Sequence, residues 1–379
     1  MNRFLVASLG LLILCPVAPA RAQVGASAAG LFERYTFGSG LGYSEVSQLT
    51  LPVTFTARLG GRAALTLSSG FTRVELVGEP AQGQEGKTLS GLVDSEARLV
   101  LDLVPERVSM VLTAVAPTGM EALEVGEGAV LTALSSQVMG FSTTSLGGGG
   151  RAGGGLAAAL PLGEGDMALG FAGTYTHSLA YNPVVGRDAE WKPGGEIRLR
   201  AGLEGSPAPG TYLRVAGIFA NRQADLINGE ELGRTGSQLH GYVAVNRTIG
   251  SGNLGVYLMD SYRSAPQVEA TGVGAVLLPK GNLLSVGARA EIPVMGEVTL
   301  VPQVELRRLS EASRDGAGDG ALVAAGSTIR AGANLKLPVG EGVALVLEGS
   351  GLFGNVGKGD GGTADVSGFR GGVHLQIRR

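Results

Sequence analysis

The sequence predicts an all-β fold, a closed antiparallel transmembrane β-barrel. Three observations carry that prediction. Runs of alternating apolar and polar residues recur along the chain, and a period of two marks strands with two unlike faces. Short turns alternate with long polar or glycine-rich connections, as in outer-membrane barrels with brief periplasmic turns and long extracellular loops. A hairpin is also written three times: Leu160-Pro161-Leu162-Gly163-Glu164-Gly165, Ile292-Pro293-Val294-Met295-Gly296-Glu297 and Leu337-Pro338-Val339-Gly340-Glu341-Gly342.

Residues 1–22 read as a secretory signal peptide. Asn2 and Arg3 give a basic start, Phe4 to Leu14 an apolar run, and Ala20-Arg21-Ala22 a small-x-small cleavage site. The apolar run, roughly 11 residues, falls short of the about 20 that span a bilayer. Residues 23–379 are then expected to form one barrel domain. Cys15 is the only cysteine, and Leu14 before it is not the small residue that lipidation needs. The mature chain therefore has no disulfide and no thiolate metal site. No later segment offers a long uncharged apolar stretch, so helical spans are excluded. A closed barrel is the remaining structure that satisfies its backbone hydrogen bonds in lipid. The formal charge of −3 becomes −5 once Arg3 and Arg21 leave with the signal, which gives no basic surface for nucleic acid. Charged residues make up 17% of the chain, below the roughly 25% of soluble domains, as a lipid-facing exterior requires.

The strands follow in order. Leu31–Gly38 opens the count and Phe369–Ile377 closes it, with about sixteen in all. The number is fourteen if the first segment is instead an N-terminal arm or plug. Both termini on the periplasmic side demand an even number. Leu49, Leu51, Val53, Phe55 and Ala57 oppose Gln48, Thr50, Thr54, Thr56 and Arg58; Val93, Ala97, Leu99, Leu101 and Leu103 oppose Asp94, Glu96, Arg98 and Asp102. Ile197, Leu199, Ala201 and Leu203 oppose Glu196, Arg198, Arg200 and Glu204, and Ile329 to Leu337 alternates likewise against Arg330, Asn334 and Lys336. Alternation alone also fits a soluble sandwich; the loop asymmetry separates the two. Short turns fall near Leu59–Arg62, Val104–Glu106, Gly163–Gly165, Ser206–Pro209, Ile249–Asn253, Val294–Glu297 and Val339–Gly342. Long connections cover Gly78–Ser90, Thr118–Gly150, Ala180–Pro193, Gln223–Gly236, Ser264–Pro279, Ser310–Ala325 and Val356–Ser367. Aromatics are sparse for a barrel, with one tryptophan. The expected girdles draw on Tyr35, Tyr43, Phe71, Phe141, Tyr175, Tyr181, Trp191, Tyr212, Tyr257, Tyr262, Phe353 and Phe369.

Three segments carry a resemblance: Leu51-Pro52, Ser90-Gly91-Leu92-Val93-Asp94-Ser95 and Ala116-Pro117-Thr118-Gly119. In that order they resemble the phenol-degradation (MetA-pathway) type outer-membrane transporter family, distantly like the fatty-acid transporter barrels. The resemblance spans Leu51 to Gly119. It implies a barrel channel for small, often hydrophobic or aromatic molecules, and supplies no binding residues. Val93 stands where that family has glycine, and Thr118–Gly150 is unlike its typical loop.

Inside a barrel the polar faces line the lumen. The solute-path candidates are Asp94, Glu96, Arg98, Glu196, Arg198, Arg200, Arg214, Arg289, Glu305, Arg307 and Arg330, joined on the same faces by Asp102, Glu204, Glu291 and Arg370. Both signs share single strands. That pattern fits either an eyelet with a transverse field or ion pairs that compensate buried charge. Gly147–Gly150 with Arg151 lacks the Gly-Lys-Ser/Thr and following helix of a phosphate loop, and reads as flexible loop or close packing beside an internal segment. His177, His240 and His374 are too scattered for a metal site. Ser237 near His240 has no nucleophile elbow, so no catalytic residue is assigned. Thr118–Leu134, with Glu121, Glu124 and Glu127, is either a short helix folded into the mouth or an acidic loop outside.

The expectation is thus an exported outer-membrane channel that conducts small solutes passively, without cofactor, metal or catalysis. Its partners are outer-membrane lipid, the solutes, and the chaperone and barrel-assembly machinery during biogenesis; the sequence leaves its oligomeric state open. The competing readings are a structural or adhesive barrel without transport, and a soluble exported β protein.

Overall fold

The computed structural model describes residues 23–79, 85–120, 122–124, 126–163, 166–268, 278–312, 320–358 and 361–378; the expected signal peptide lies outside them. The first strands are β1 (Val24–Phe37), β2 (Tyr43–Leu59), β3 (Ala63–Gly78), β4 (Lys87–Leu92), β5 (Ser95–Val104) and β6 (Val108–Ala116). After the helix α1 (Gly128–Leu134) come β7 (Arg151–Pro161), β8 (Met167–Ser178), β9 (Trp191–Lys192), β10 (Glu196–Ala208) and β11 (Thr211–Arg222). Then follow β12 (Asp225–Ile227), β13 (Glu230–Arg234), β14 (Gln238–Ile249), β15 (Gly252–Arg263) and β16 (Gln267–Val268). The chain ends with β17 (Gly281–Met295), β18 (Val298–Ala312), β19 (Leu322–Gly340), β20 (Val343–Gly357) and β21 (Thr363–Arg378).

Each long strand pairs antiparallel with the next, and β1 closes the circle against β21, from Gly25 opposite Arg378 to Phe37 opposite Val366. Segments β4 and β5 both lie on β3, with Leu92 opposite Phe71 and Glu96 opposite Ser68. They are one strand interrupted at Val93-Asp94. The barrel therefore has sixteen strands, and its first begins at Val24, earlier than the sequence pattern marks.

Closure leaves no sheet edge, and alternation sends the apolar side chains outward. Leu156, Leu199 and Phe353 are 55%, 52% and 64% exposed on that face, which is sustainable where hydrocarbon replaces water. Phe32 and Phe369 meet at 5.9 Å, and Phe71 and Phe353 join them near one end of the band. Beyond these rings the exterior turns ionic, with Arg34 paired to Glu45 at 2.7 Å beside Arg73 and Glu75. The expected girdle needs correction. Tyr35 and Phe141 are buried inside, Tyr257 bonds an inward glutamate, and Tyr181 packs at a tilt against Trp191 at 5.5 Å in the loops.

The three hairpin copies all fall at the short-turn end. Two-residue turns join β10–β11, β14–β15, β17–β18 and β19–β20, with Gly210, Gly250, Gly296 and Gly342 at positive φ; such turns need the left-handed region that glycine tolerates. At the opposite end the strands run into the expected loops: β18 reaches Ala312, β4 begins at Lys87 and β21 begins at Thr363. Ladder pairing continues there because polar outward residues such as Asn355 and Asp365 suit water. Above the mouth, β9, β12, β13 and β16 form a separate small sheet, turned at Asn228-Gly229.

The connection from β6 to β7 folds back into the barrel. Val130, Leu134, Val138, Met139 and Leu146 are buried against Tyr35, Val46, Val74, Leu76, Leu89 and Leu352 of the inner wall. Of the two placements open for Thr118–Leu134, the structure adopts the internal one; Glu121 and Val125 lie outside the described residues.

Candidate functional site

The lumen has two unlike walls, and the inward loop creates the difference. One wall, from β18 through β21 to β5, holds the loop. At its feet, Met120 N–H donates to the Leu146 carbonyl at 3.1 Å. The Asp94 carboxylate accepts Gly119 N–H at 3.0 Å on one oxygen and Gly148 N–H at 2.9 Å on the other. Thr118 Oγ1 donates to the Val93 carbonyl at 3.1 Å and sits 2.8 Å from Ser95 Oγ. The break between β4 and β5 thus exposes a carboxylate and a carbonyl that the loop's feet require. A Cβ on Gly119 would run into the Leu146 carbonyl, and one on Gly147 into that of Met120. Glycine is needed at both feet for close approach.

Deeper in, arginines grip the loop's backbone. Arg330 donates to the Met139 carbonyl at 2.7 Å and to Tyr35 Oη at 3.2 Å. Arg370 donates to the Gly140 carbonyl at 2.8 Å and pairs with Glu33 at 2.8 Å. Arg307 reaches the Gln137 carbonyl at 3.3 Å while pairing with Glu305 at 3.1 Å. Glu33, fully buried, also accepts Ser142 N–H at 2.7 Å and Tyr35 O–H at 2.9 Å. Thr328 Oγ1 donates to the Val138 carbonyl at 2.8 Å, and Gln48 Nε2 to the Thr143 carbonyl at 2.8 Å. Buried backbone carbonyls require partners, and charge-assisted bonds are the strongest available.

The other wall, β5 to β15, stays open. Glu96, Arg98 and Arg200 stand exposed on it, with no ion pair among the described residues. Glu196 is shared by Arg198 at 2.6 Å and Arg222 at 3.3 Å, and Arg214 meets Glu204 at 3.4 Å. Toward the short-turn end a polar recess of about 190 Å³ opens between Asn246, Asn253, Gly255, Arg289 and Glu291, where Lys336 pairs with Glu291 at 3.0 Å. Glu305 accepts Tyr257 O–H at 2.8 Å. His240 Nδ1 lies 2.7 Å from Ser261 Oγ, while Ser237 bonds Asn221 instead.

The predicted solute-path residues therefore divide by wall. Asp94, Arg307 and Arg330 converge on the loop, with Glu305 paired to Arg307, whereas Glu96, Arg98, Glu196, Arg198, Arg200, Arg214 and Arg289 lie on the wall that the loop leaves uncovered. Sequence reasoning missed Glu33 and Thr328, put Tyr35 in the girdle, and gave Gln48 no part in the site. Their signal was faint: a lone acid two residues from a tyrosine, in a strand whose partner lies at the other end of the chain.

The sequence matches no protein-family profile and no curated relative. Several solved structures align with the chain. OccAB3 of Acinetobacter baumannii is 10% identical and aligns over 95% of this chain and 100% of its own, at a TM-score of 0.50. OccK5 of Pseudomonas aeruginosa is also 10% identical, covering 94% and 98% at a TM-score of 0.49. An outer membrane channel of Pseudomonas putida F1 is 15% identical, covering 66% and 91% at 0.39. By its closed sixteen-strand sheet and its likeness to OccAB3, the chain is an outer-membrane-type β-barrel. Its likeness to OccAB3 concerns architecture alone.

Proposed function

We propose that this barrel is a passive channel for small molecules, of the phenol-degradation transporter type that its Leu51–Gly119 segments resemble, with small aromatic compounds as its solutes. The carrying observation is the asymmetry of the lumen. The internal loop is fixed to one wall, and the facing wall keeps exposed charged groups. A passage lined by hydrated charge on one side and a docked loop on the other constricts without catalysing anything. The motifs that carry the resemblance meet at the loop's feet through Asp94 and Gly119.

The competing reading, a structural barrel with a plugged interior, draws on the apolar core that the loop makes with the inner wall. Liposome swelling separates the two. Purified protein reconstituted into vesicles is expected to admit small sugars and phenol. Vesicles impermeable to every small solute, with the barrel folded by heat-modifiability gel, would overturn the channel.

A further inference from the structure

We infer that the open wall carries a binding bay for small organic anions, which gives the channel a preference for carboxylate solutes. This rests on the pore reading above and narrows its solute class. Four arginines make the bay: Arg151 on β7, Arg198 and Arg200 on β10, and Arg222 on β11. Glu196 is held by Arg198 at 2.6 Å and Arg222 at 3.3 Å, and Glu96 lies level with Arg151 across β6, both opposite Val115, so among the described residues four arginines stand against two carboxylates. One acid shared by two arginines leaves net positive charge. Arg151 and Arg200 are exposed and unpaired among the described residues, and Glu204, the next acid along β10, is taken by Arg214.

Register sets these groups in a row along the wall, with Arg151 two residues beyond Glu196 and Arg222, and Arg198 and Arg200 following on the other side, over a length of roughly 20 Å. Arg151 lies opposite Ser178, one alternation step from Gly153 opposite Thr176, and Thr176 is opposite Glu196. Arg198 is opposite Thr174, which faces Gly155 on its other side. From β7 to β10 is two strand spacings, roughly 10 Å. The inward residues between them are Gly153, Gly155, Thr174 and Thr176, all small, two with hydroxyl donors. The arginines therefore project over a shallow floor instead of into packed side chains; Arg198 keeps 56% of its side chain exposed.

A guanidinium fork matches a carboxylate bidentately. A cleft of net positive charge between low-dielectric walls concentrates counter-anions. The flat glycine floor also has room for a ring, so aromatic acids satisfy both the charge and the shape. The opposite wall does not compete, because Arg307, Arg330 and Arg370 are committed to the loop's carbonyls.

Planar-bilayer recording under a potassium chloride gradient tests this. The native protein is expected to pass chloride over potassium by roughly threefold. R198Q/R200Q should move the ratio toward one, and E196Q should raise it. Benzoate should block the native current and require higher concentrations in R198Q/R200Q. R151Q, which removes a residue with no ion pair, gives the same readout should the double variant fail to show the folded band. A folded native protein without conductance defeats the pore reading itself. A conducting native protein that prefers potassium, or folded variants with unchanged selectivity and benzoate block, defeats the anion bay and leaves the pore standing.

Discussion

Asp94→Ala removes the acceptor that holds both feet of the internal loop. Its two bonds, from Gly119 N–H at 3.0 Å and Gly148 N–H at 2.9 Å, are charge-assisted and together contribute about 3–6 kcal/mol. Against this stand six large loop side chains buried on the inner wall: Val130, Leu134, Val138, Met139, Phe141 and Leu146. At about 1.5–3 kcal/mol each, they supply on the order of 10 kcal/mol, and the arginine bonds to Met139 and Gly140 add to it. Burial wins, so the loop stays docked in D94A while its feet fray. Single-channel recording should show more open-channel noise and a conductance raised by less than about twofold, since local opening follows the weakest contacts. A second variant, with residues 121–145 replaced by a short linker across the Met120–Leu146 bond, should give a much larger, quiet pore. A D94A conductance equal to that of the loop-deleted protein, or noise equal to that of the native protein, would refute a loop held chiefly by burial.

Further outcomes follow from the same geometry. Gly119→Val drives a side chain into the Leu146 carbonyl, so its noise should resemble that of D94A; an undisturbed trace would show that the foot tolerates the bulk. Glu33→Ala strands Arg370 and leaves Tyr35 O–H and Ser142 N–H unpaired, a loss of about 3–5 kcal/mol. The heat-modifiability transition should fall in temperature, and an unshifted transition would remove Glu33 from the loop's support. Val256→Arg places a charge on the outward face of β15, where Val256 is 47% exposed. Urea unfolding from liposomes should show about 2–4 kcal/mol of destabilisation if that face meets lipid. Thr174→Arg on the inward face should cost far less, and equal costs would contradict the assignment of faces.

The sequence by itself determined the strands and their two faces. Alternation is local: Leu199 and Arg200 point opposite ways whatever surrounds them, because the pleat has a period of two. Turn lengths, read from glycines such as Gly250 and Gly296, then settled which end is short and made closure the natural outcome.

What only tertiary structure decided is the interior. The segment Thr118–Gly150 has no period that names its partner. Its apolar residues find a home because Tyr35, Val46, Val74, Leu76, Leu89 and Leu352, far apart along the chain, converge on one patch once the barrel closes. The same closure brings Arg370 to Glu33 across the β1–β21 seam. It decides which lumen arginines grip backbone and which face water. Charge placement along a strand is a local property, whereas pairing across a closed wall depends on strands distant in sequence meeting at one register.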